Sequence, residues 1–262
     1  MKIHHLLAPN PGIFTGLGTN TWVLADAGEA IVIDPGPMLE DHVAAVVDTV
    51  AGYRTVGVLV THTHPDHAPA ANPIGRQLDV PVYGRDPGPA FKPDVRIADG
   101  ETMTFGDREV EAIHTPGHTP DHLCFLVDRV LFSGDHIMGG STVVVEEMTD
   151  YLRSLDRLAD LDLERIHPGH GPVIDQPEQV IAEYKRHRLD RERQIVEAVA
   201  GGAPTVGDVV HLVYADVDPT LHFAAAQSTA AHLRKLEADG VVALPDGTAE
   251  WTSSVSLRRD TA

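Results

Sequence analysis

The chain has 262 residues, with 20 Lys and Arg against 39 Asp and Glu, which gives a formal net charge of −19 at pH 7 with histidine counted as neutral. This charge argues against a protein that binds nucleic acid mainly through a basic surface. The composition, with 42% hydrophobic and 23% charged residues, is that of a globular protein able to bury a sizeable core in one large domain, or in one large and one small domain.

The sequence gives no sign of a membrane or secretory segment. No run approaches the roughly 20 apolar residues that a membrane span needs, and the start Met1–Pro9 lacks the apolar region and cleavage site of a signal peptide. The single cysteine, Cys124, lies in an apolar run and is expected to be a buried thiol. We therefore expect a cytoplasmic protein without a membrane partner.

Short apolar runs alternate with amphipathic stretches through the first two thirds of the chain. Runs rich in β-branched residues predict strands at Asn20–Ala25, Ala30–Asp34, Val56–Thr61, Val80–Tyr83, Leu131–Ser133 and Leu163–Ile166, with a meander over residues 95–130. Helical spacing of apolar residues predicts helices at Leu39–Val50, Asp66–Leu78 and Glu146–Leu161. Strands in two blocks with helices between them predict a layered α/β sandwich.

The character of the sequence changes after Pro177. The predicted elements are then three helices and a hairpin, at Glu178–Ala200, Val206–Tyr214, Pro219–Asp239 and Val241–Trp251. This order is typical of a winged helix. We therefore predict a first domain over residues 1–175 and a winged-helix-like domain over residues 176–262.

Histidine is unusually frequent, with 16 residues, and is densest in the segment His62-Thr-His-Pro-Asp-His67. This segment lies where a predicted strand gives way to a helix. Zinc takes imidazole and carboxylate ligands at about 2.0–2.2 Å. A loop of this sequence can present His62 and His64 to one ion, and Asp66 and His67 to a second.

Three further polar residues follow strand-like runs in the same way. They are His118 in Thr115-Pro-Gly-His-Thr119, Asp135 in Ser133-Gly-Asp135 and His170 in Pro168-Gly-His-Gly171. A glycine lies beside each of them, and glycine permits close approach of the backbone to a crowded site. Together with the first segment they give enough ligands for two metal ions with positions left open for water and substrate.

These motifs resemble those of the metallo-β-lactamase superfamily. The resemblance rests on His-x-His-x-Asp-His at His62–His67, on the later ligand segments and on Ile31-Val-Ile-Asp-Pro-Gly36, which is similar to the superfamily's first motif. It covers residues 1 to about 175. The pattern Thr-Pro-Gly-His-Thr-Pro-Asp-His at Thr115–His122, the segment Gly139–Leu158 and the appended domain resemble the β-lactamase-like protein 2 group within it.

The resemblance implies a four-layer αβ/βα sandwich with a dinuclear site in a cleft at one edge of the two sheets, followed by the winged-helix-like domain. It assigns the ligands of the first metal as His62, His64 and His118, those of the second as Asp66, His67 and His170, and Asp135 as the bridge between them. Asp34 would orient a ligand histidine or, alternatively, cap the turn at Pro35–Pro37. Residues Ala68–Ala71 depart from the common Ser-Gly-Gly-type turn, so substrate contacts there do not transfer.

The expected cofactors are two divalent ions, with zinc the first choice. Two such ions lower the pKa of a shared water from 15.7 to about 7 and hold the oxygen of a carbonyl or phosphoryl group. The chain is therefore expected to be a hydrolase in which a metal-bridged hydroxide attacks a small ester, thioester or related substrate, with Asp66 or Asp135 passing on the proton. The sequence contains neither a Gly-x-Ser-x-Gly elbow nor a phosphate-binding loop.

Other functions compete with this one. The resemblance to the β-lactamase-like protein 2 group makes a single-strand endoribonuclease the main alternative, and one basic cluster could contact RNA, at Lys185, Arg186, Arg188, Arg191 and Arg193. The acidic chain disfavours RNA. A DNA-binding winged helix would have only Arg234 and Lys235 on its recognition helix. The complete second ligand set argues against a mononuclear iron enzyme.

Overall fold

The computed structural model describes residues 1–140 and 142–258. The chain divides into two compact units. The first consists of Met1–Pro116, the described part of Asp121–Val143, and Ala159–Val180; the second consists of Gly117–Pro120, Val144–Leu158 and the described part of Ile181–Ala262. The boundary at residue 175 stays a prediction.

The first sheet has six strands in chain order, β1 to β6. They are β1 Lys2–Leu7, β2 Asn20–Asp26, β3 Glu29–Ile33, β4 Arg54–Leu59, β5 Val82–Gly84 and β6 Val95–Arg96. β1, β2 and β3 pair antiparallel, and β3 to β6 pair in parallel. Two of the three parallel connections contain helices, α1 at Glu40–Val50 and α2 at Ala71–Leu78, which is the usual way to join parallel strands.

The second sheet has five strands in the order β11-β10-β9-β8-β7. They are β7 Thr102–Phe105, β8 Arg108–His114, β9 Leu123–Val127, β10 Val130–Gly134 and β11 Arg165–Pro168. Only β10 and β11 pair in parallel. The predicted meander over residues 95–130 is thus β6 to β9, with its first strand in the other sheet.

The side chains of β2 point alternately to two apolar clusters, as the period of a strand requires. Trp22 and Leu24 join Phe125 of the second sheet in one cluster. Val23 joins Ile74 of α2 in the other. The first sheet is therefore packed between its helices and the second sheet, and the predicted sandwich layers are present.

The second unit contains most of the remaining helices. Its elements are α3 Met148–Ala159, α4 Pro177–Ala200, α5 Val206–Val213, a 3₁₀ helix Pro219–Leu221, α6 His222–Ala238, β12 Val242–Ala243 and β13 Ser256–Leu257. The first residues of α4, up to Val180, belong to the first unit. Apolar residues of α4, α5, α6 and β12 share one buried cluster. Within the described residues, no helix combines the length and apolar character needed to cross a bilayer.

Three details differ from the sequence-based expectation. β1 was not predicted, because its side chains show no clear alternation of apolar and polar residues. The helix expected from Asp66 begins only at Ala71, because the backbone after His64 turns back on itself, with the amides of His67 and Ala68 both donating to the carbonyl of His64. The predicted hairpin Val241–Trp251 is wrong, since β12 pairs with β13 and the carbonyl of Trp251 accepts from the amide of Gly207 instead.

Candidate metal centre

The structure gathers the seven predicted ligands into two groups. The first is His62, His64, His118 and Asp135; the second is Asp66, His67 and His170. Within each group, one ligand atom of every residue lies within 4.8 Å of the others. Asp135 also lies near the second group, with Oδ1 3.4 Å from Nε2 of His67 and Oδ2 3.3 Å from Nε2 of His170. This position suits the bridging role, which itself stays a prediction.

The second group has the dimensions of a tetrahedral site for a divalent ion. Its three ligand atoms form a nearly equilateral triangle: Nε2 of His67 lies 3.3 Å from Oδ2 of Asp66 and 3.3 Å from Nε2 of His170, and the third side is 3.1 Å. Ligands placed about 2.0–2.1 Å from a tetrahedral ion are about 3.3 Å apart. The residues present therefore fit a divalent ion of this size.

Hydrogen bonds fix which nitrogen each histidine of the second group offers. Nδ1 of His67 lies 2.9 Å from Oδ2 of Asp34, and Nδ1 of His170 lies 3.1 Å from the carbonyl of Gly18. Because both partners accept hydrogen bonds, each Nδ1 carries a proton. Nε2 of the neutral ring is left with the lone pair that a metal needs.

The first group is ordered in a similar way. Nδ1 of His118 donates to the carbonyl of Val144 at 2.7 Å, which leaves the lone pair on Nε2, the nitrogen that the predicted ligand role requires. Nδ1 of His62 lies 3.0 Å from Oγ1 of Thr61. Nε2 of His62 is then 2.9 Å from Nδ1 of His64, so the two histidines of His-x-His face each other through different ring nitrogens.

Asp34 orients His67, one of the predicted ligands, through the hydrogen bond to Nδ1; this is one of the two roles that the sequence left open. Its side chain is buried, and its Oδ1 and Oδ2 accept hydrogen bonds from the amide and hydroxyl of Thr61 at 2.8 and 2.7 Å, in addition to His67. Its φ is +49°, a left-handed conformation that aspartate and asparagine tolerate better than most residues. The end of β3 is thereby tied to the ligand motif that follows β4.

Sequence reasoning missed the segment Gly18–Asn20, which supports the second group. The hydroxyl of Thr19 donates to Oδ2 of Asp66 at 3.0 Å. The side-chain amide of Asn20 donates to the carbonyls of Pro168 and Gly171, each at 2.9 Å, and its backbone amide donates to the carbonyl of Gly169 at 2.7 Å. The run of polar residues Thr19–Thr21 at the start of a predicted strand was the available signal, but none of these residues is a usual metal ligand.

The glycines beside the ligands make room for them, as expected. A Cβ on Gly169 would lie 2.5 Å from Oδ1 of Asp135 and 2.7 Å from Cε1 of His67. Gly134 has φ +47°, and a Cβ there would lie 2.8 Å from Nε2 of His122. That nitrogen accepts the backbone amide of Asp135 at 3.2 Å, so His122 helps to hold the Asp135 backbone.

The charges of the second group are strongly coupled. Burial by itself lowers the pKa of His67, but the carboxylates of Asp66, Asp135 and Asp34 outweigh it and raise the pKa well above its usual value. Burial likewise lowers the pKa of His170, and its hydrogen bonds to Asp135 and Asp66 raise it to about 9. Burial raises the pKa of Asp66 and Asp135, yet the charge of His67 leaves both below the usual range. The group therefore stabilises positive charge.

The basic cluster of α4 is mostly engaged within the protein. Arg188 is buried with its guanidinium 5.2 Å from the centre of the Tyr151 ring. Arg191 lies 4.2 Å from the centre of the Tyr214 ring. Ion pairs join Lys185 to Asp156, and Arg193 to Asp190 and Glu197. The cluster is therefore not one continuous surface for phosphates.

Comparison with known proteins agrees with this architecture. The model of the metallo-beta-lactamase superfamily matches residues 14–170, and that of the beta-lactamase associated winged helix domain matches residues 205–251. The chain belongs to the metallo-β-lactamase superfamily and is a metal-dependent hydrolase of that fold with a C-terminal winged helix domain. The predicted fold class is confirmed.

Within the superfamily, the predicted similarity to the β-lactamase-like protein 2 group is also confirmed. A beta-lactamase-like protein 2 homolog of Caenorhabditis elegans is 34% identical, over 97% of this chain and 90% of that protein. An atrochrysone carboxyl ACP thioesterase of Aspergillus chevalieri is 34% identical, over 82% of this chain and 74% of that protein. A beta-lactamase domain protein of Burkholderia ambifaria has the same fold, with a TM-score of 0.84 at 22% identity, over 98% of this chain and 91% of that one.

Proposed function

We propose that the protein is a dinuclear zinc hydrolase that acts on a small ester, thioester or related molecule. The observation that carries this proposal is the pairing of two ligand groups that both lie close to one buried carboxylate, that of Asp135. Two bound divalent ions would supply a water with a pKa near 7 and a clamp for the substrate oxygen. Hydrolysis then needs no nucleophile from the chain.

Side chains of the site would hold the metal ions and transfer the proton. His67 and His170 each keep a proton on Nδ1, which they donate to Oδ2 of Asp34 and to the carbonyl of Gly18, and they present Nε2 as a neutral ligand. Asp135 would contact both metal ions and so fix the position of one ligand group relative to the other. Asp66 is the more exposed of the two carboxylates, with 23% of its side chain accessible against 10% for Asp135, and is the better placed to pass a proton to solvent.

Two observations support a small ester or thioester over a nucleic acid. Relatives named as thioesterases, the atrochrysone carboxyl ACP thioesterases, align with most of this chain. The net charge of −19 opposes binding of a polyanion. Cytoplasmic location and a small-molecule partner remain parts of this proposal.

The experiment combines metal analysis of the full chain with a hydrolysis screen of esters, thioesters, β-lactams and single-stranded RNA. We expect about two zinc ions per chain and turnover of an ester or thioester. Asp135→Asn should lower that turnover at least about 100-fold, because both ions lose a shared ligand. Asp48→Asn, an exposed change on α1, is the matched control. Wild-type turnover by the Asp135 variant would refute the proposal.

The alternative, single-strand endoribonuclease activity, rests on the similarity to the β-lactamase-like protein 2 group. Arg188 and Arg191 pack on aromatic rings, so variants at Lys185, Arg186 and Arg193 test RNA contacts with less damage to the fold. The logarithm of RNA affinity falls with the logarithm of salt at about −0.7 per phosphate contacted. We expect a weak slope in the wild type. RNA cleavage with a steep slope that this triple alanine variant flattens would make the ribonuclease assignment the better one.

A further inference from the structure

The loop that carries His118 is built into the same compact unit as the winged helix domain. Residues Gly117–Pro120 and Val144–Leu158 cluster with the described part of Ile181–Ala262. The C-terminal domain is therefore the environment in which this ligand is held, and its contacts to the loop can be followed residue by residue.

The first contacts run from His118 to the segment before α3. Nδ1 of His118 donates to the carbonyl of Val144 at 2.7 Å. The amides of Glu146 and Glu147 both donate to the carbonyl of Gly117, at 2.8 and 3.0 Å. Residues 144–147 thus hold the ligand loop at two points, the carbonyl of Gly117 and the ring of His118, and they fix the ring nitrogen that His118 offers.

The next contacts run from this segment to the winged helix domain. On α6, Nη2 of Arg234 donates to the carbonyl of Glu146 at 2.6 Å, and its Nε lies 3.6 Å from Oε1 of Glu147. The planar fork of a guanidinium can address a carbonyl and a carboxylate together, which a lysine ammonium cannot do with the same geometry. Arg234 is therefore joined to both residues that hold the carbonyl of Gly117.

A second connection reaches the loop through α3 and α4. Gly117 has φ +134°, and a Cβ there would lie 2.4 Å from Cα of Tyr151, so the loop rests directly on the α3 backbone. The ring of Tyr151 is fully buried, and the guanidinium of buried Arg188 lies 5.2 Å from its centre. Burial strengthens such a cation–π contact, which fixes Tyr151 beneath the loop.

We infer that Arg234, with Arg188 in support, is a positioning residue for His118, so the winged helix domain serves as part of the scaffold of the first metal site. This inference rests on the proposed function, because it takes His118 as a metal ligand. It also gives Arg234 a use other than the DNA contact that a recognition helix would make with it. Residues that orient metal ligands commonly contribute about 10–100-fold to metal affinity.

The test is cobalt titration of the metal-free, full-length protein, followed by the visible absorption of the bound ion and by competition with a chelator. Variants His118→Ala and His170→Ala identify which binding step belongs to which group. Arg234→Ala should weaken the His118-dependent step about tenfold, shift its absorption band and leave the His170-dependent step unchanged. Arg234→Lys, which keeps the charge and one donor nitrogen but not the planar fork, should recover part of the affinity.

Two matched controls separate positioning from general damage. Arg193→Ala removes an arginine whose ion pairs with Asp190 and Glu197 lie along α4, and should change neither step. Gly117→Ala forces the loop off Tyr151 and should weaken the same step as Arg234→Ala. Gly240→Ala places a side chain at another positive φ, +77°, where a Cβ meets nothing within 4 Å, and should leave both steps intact.

The outcomes separate this inference from the proposed function. An Arg234→Ala protein whose His118-dependent step equals that of the wild type overturns the inference, as does an equal weakening of both steps. If the wild type still binds cobalt in two steps, either of these outcomes overturns the inference but not the proposed function. A wild type that binds no cobalt overturns the inference and the proposed function together.

Discussion

Replacing Asp34 by Asn tests how the second ligand group is oriented. The two carboxylate oxygens of Asp34 accept three hydrogen bonds, from the amide and hydroxyl of Thr61 and from Nδ1 of His67, at 2.7 to 2.9 Å. An asparagine offers one accepting oxygen and one amino group. Asparagine also tolerates the φ of +49° found at this position, so backbone strain does not confuse the result.

Either orientation of the new amide leaves one buried donor facing another. If the amino group takes the place of Oδ2, it faces the Nδ1 proton of His67; if it takes the place of Oδ1, it faces the backbone amide of Thr61. An unpaired buried donor costs about 1–3 kcal/mol. His67 can escape by moving its proton to Nε2, but that removes the lone pair proposed for the metal.

We therefore expect Asp34→Asn to destabilise the metal-free protein by about 1–3 kcal/mol and to weaken the second ion by about 10–100-fold. Urea unfolding of the metal-free protein measures the first effect, and cobalt titration measures the second. Asp48→Asn, exposed on α1, controls for the loss of one negative charge. An Asp34→Asn protein with the stability and metal affinity of the wild type would show that Asp34 does not orient His67.

Three further predictions concern the same group. Asn20→Ala removes the amide that donates to both ends of the loop carrying His170; urea unfolding should show a loss of about 2 kcal/mol or more, and unchanged stability would contradict this. Gly169→Ala places a Cβ 2.5 Å from Oδ1 of Asp135 and should reduce metal content and turnover together; normal values of both would show that the loop yields at no cost. The pKa of about 9 for His170 lies above the value near 6.5 of an unfolded chain, so its contribution to stability is full below about pH 6.5 and is lost as the pH rises through about 9. The urea midpoint of the metal-free protein should fall over that interval. Zinc binding to the metal-free protein at pH 7, followed by calorimetry in two buffers, should release the proton of His170; zinc binding without proton release would refute the assignment of charge.

The side chains that the structure gathers into the two candidate groups could be predicted from the sequence, because imidazole and carboxylate groups at strand ends are recognisable by residue type. His62–His67 and His170 are selected in this way, and their role as metal ligands stays a prediction. The groups that orient them could not, since the carbonyl of Gly18 and the amide of Asn20 do what any residue's backbone or a common side chain can do. Only the fold brings residues 18–20 beside the loop at Pro168–Gly171.

The predicted bounds of helices and strands were wrong where contacts distant in sequence override the local preference of the chain for helix or turn. The helical pattern after Asp66 was real, but the backbone bonds of His67 and Ala68 to His64 delay the helix until Ala71. At the other end of the chain, the turn-forming residues before Trp251 suggested a tight hairpin, whereas the partner of β12 lies further on, at Ser256–Leu257. Long-range pairing of this kind leaves no local trace in the sequence.

The most direct test of the central claim is the number of metal ions that each chain holds after gel filtration, measured by inductively coupled plasma mass spectrometry. The wild type should carry about two ions, and His118→Ala and His170→Ala about one each, because each variant removes a ligand from a different group. A wild type with one ion, or a His170→Ala protein that keeps two, would contradict the two-metal account.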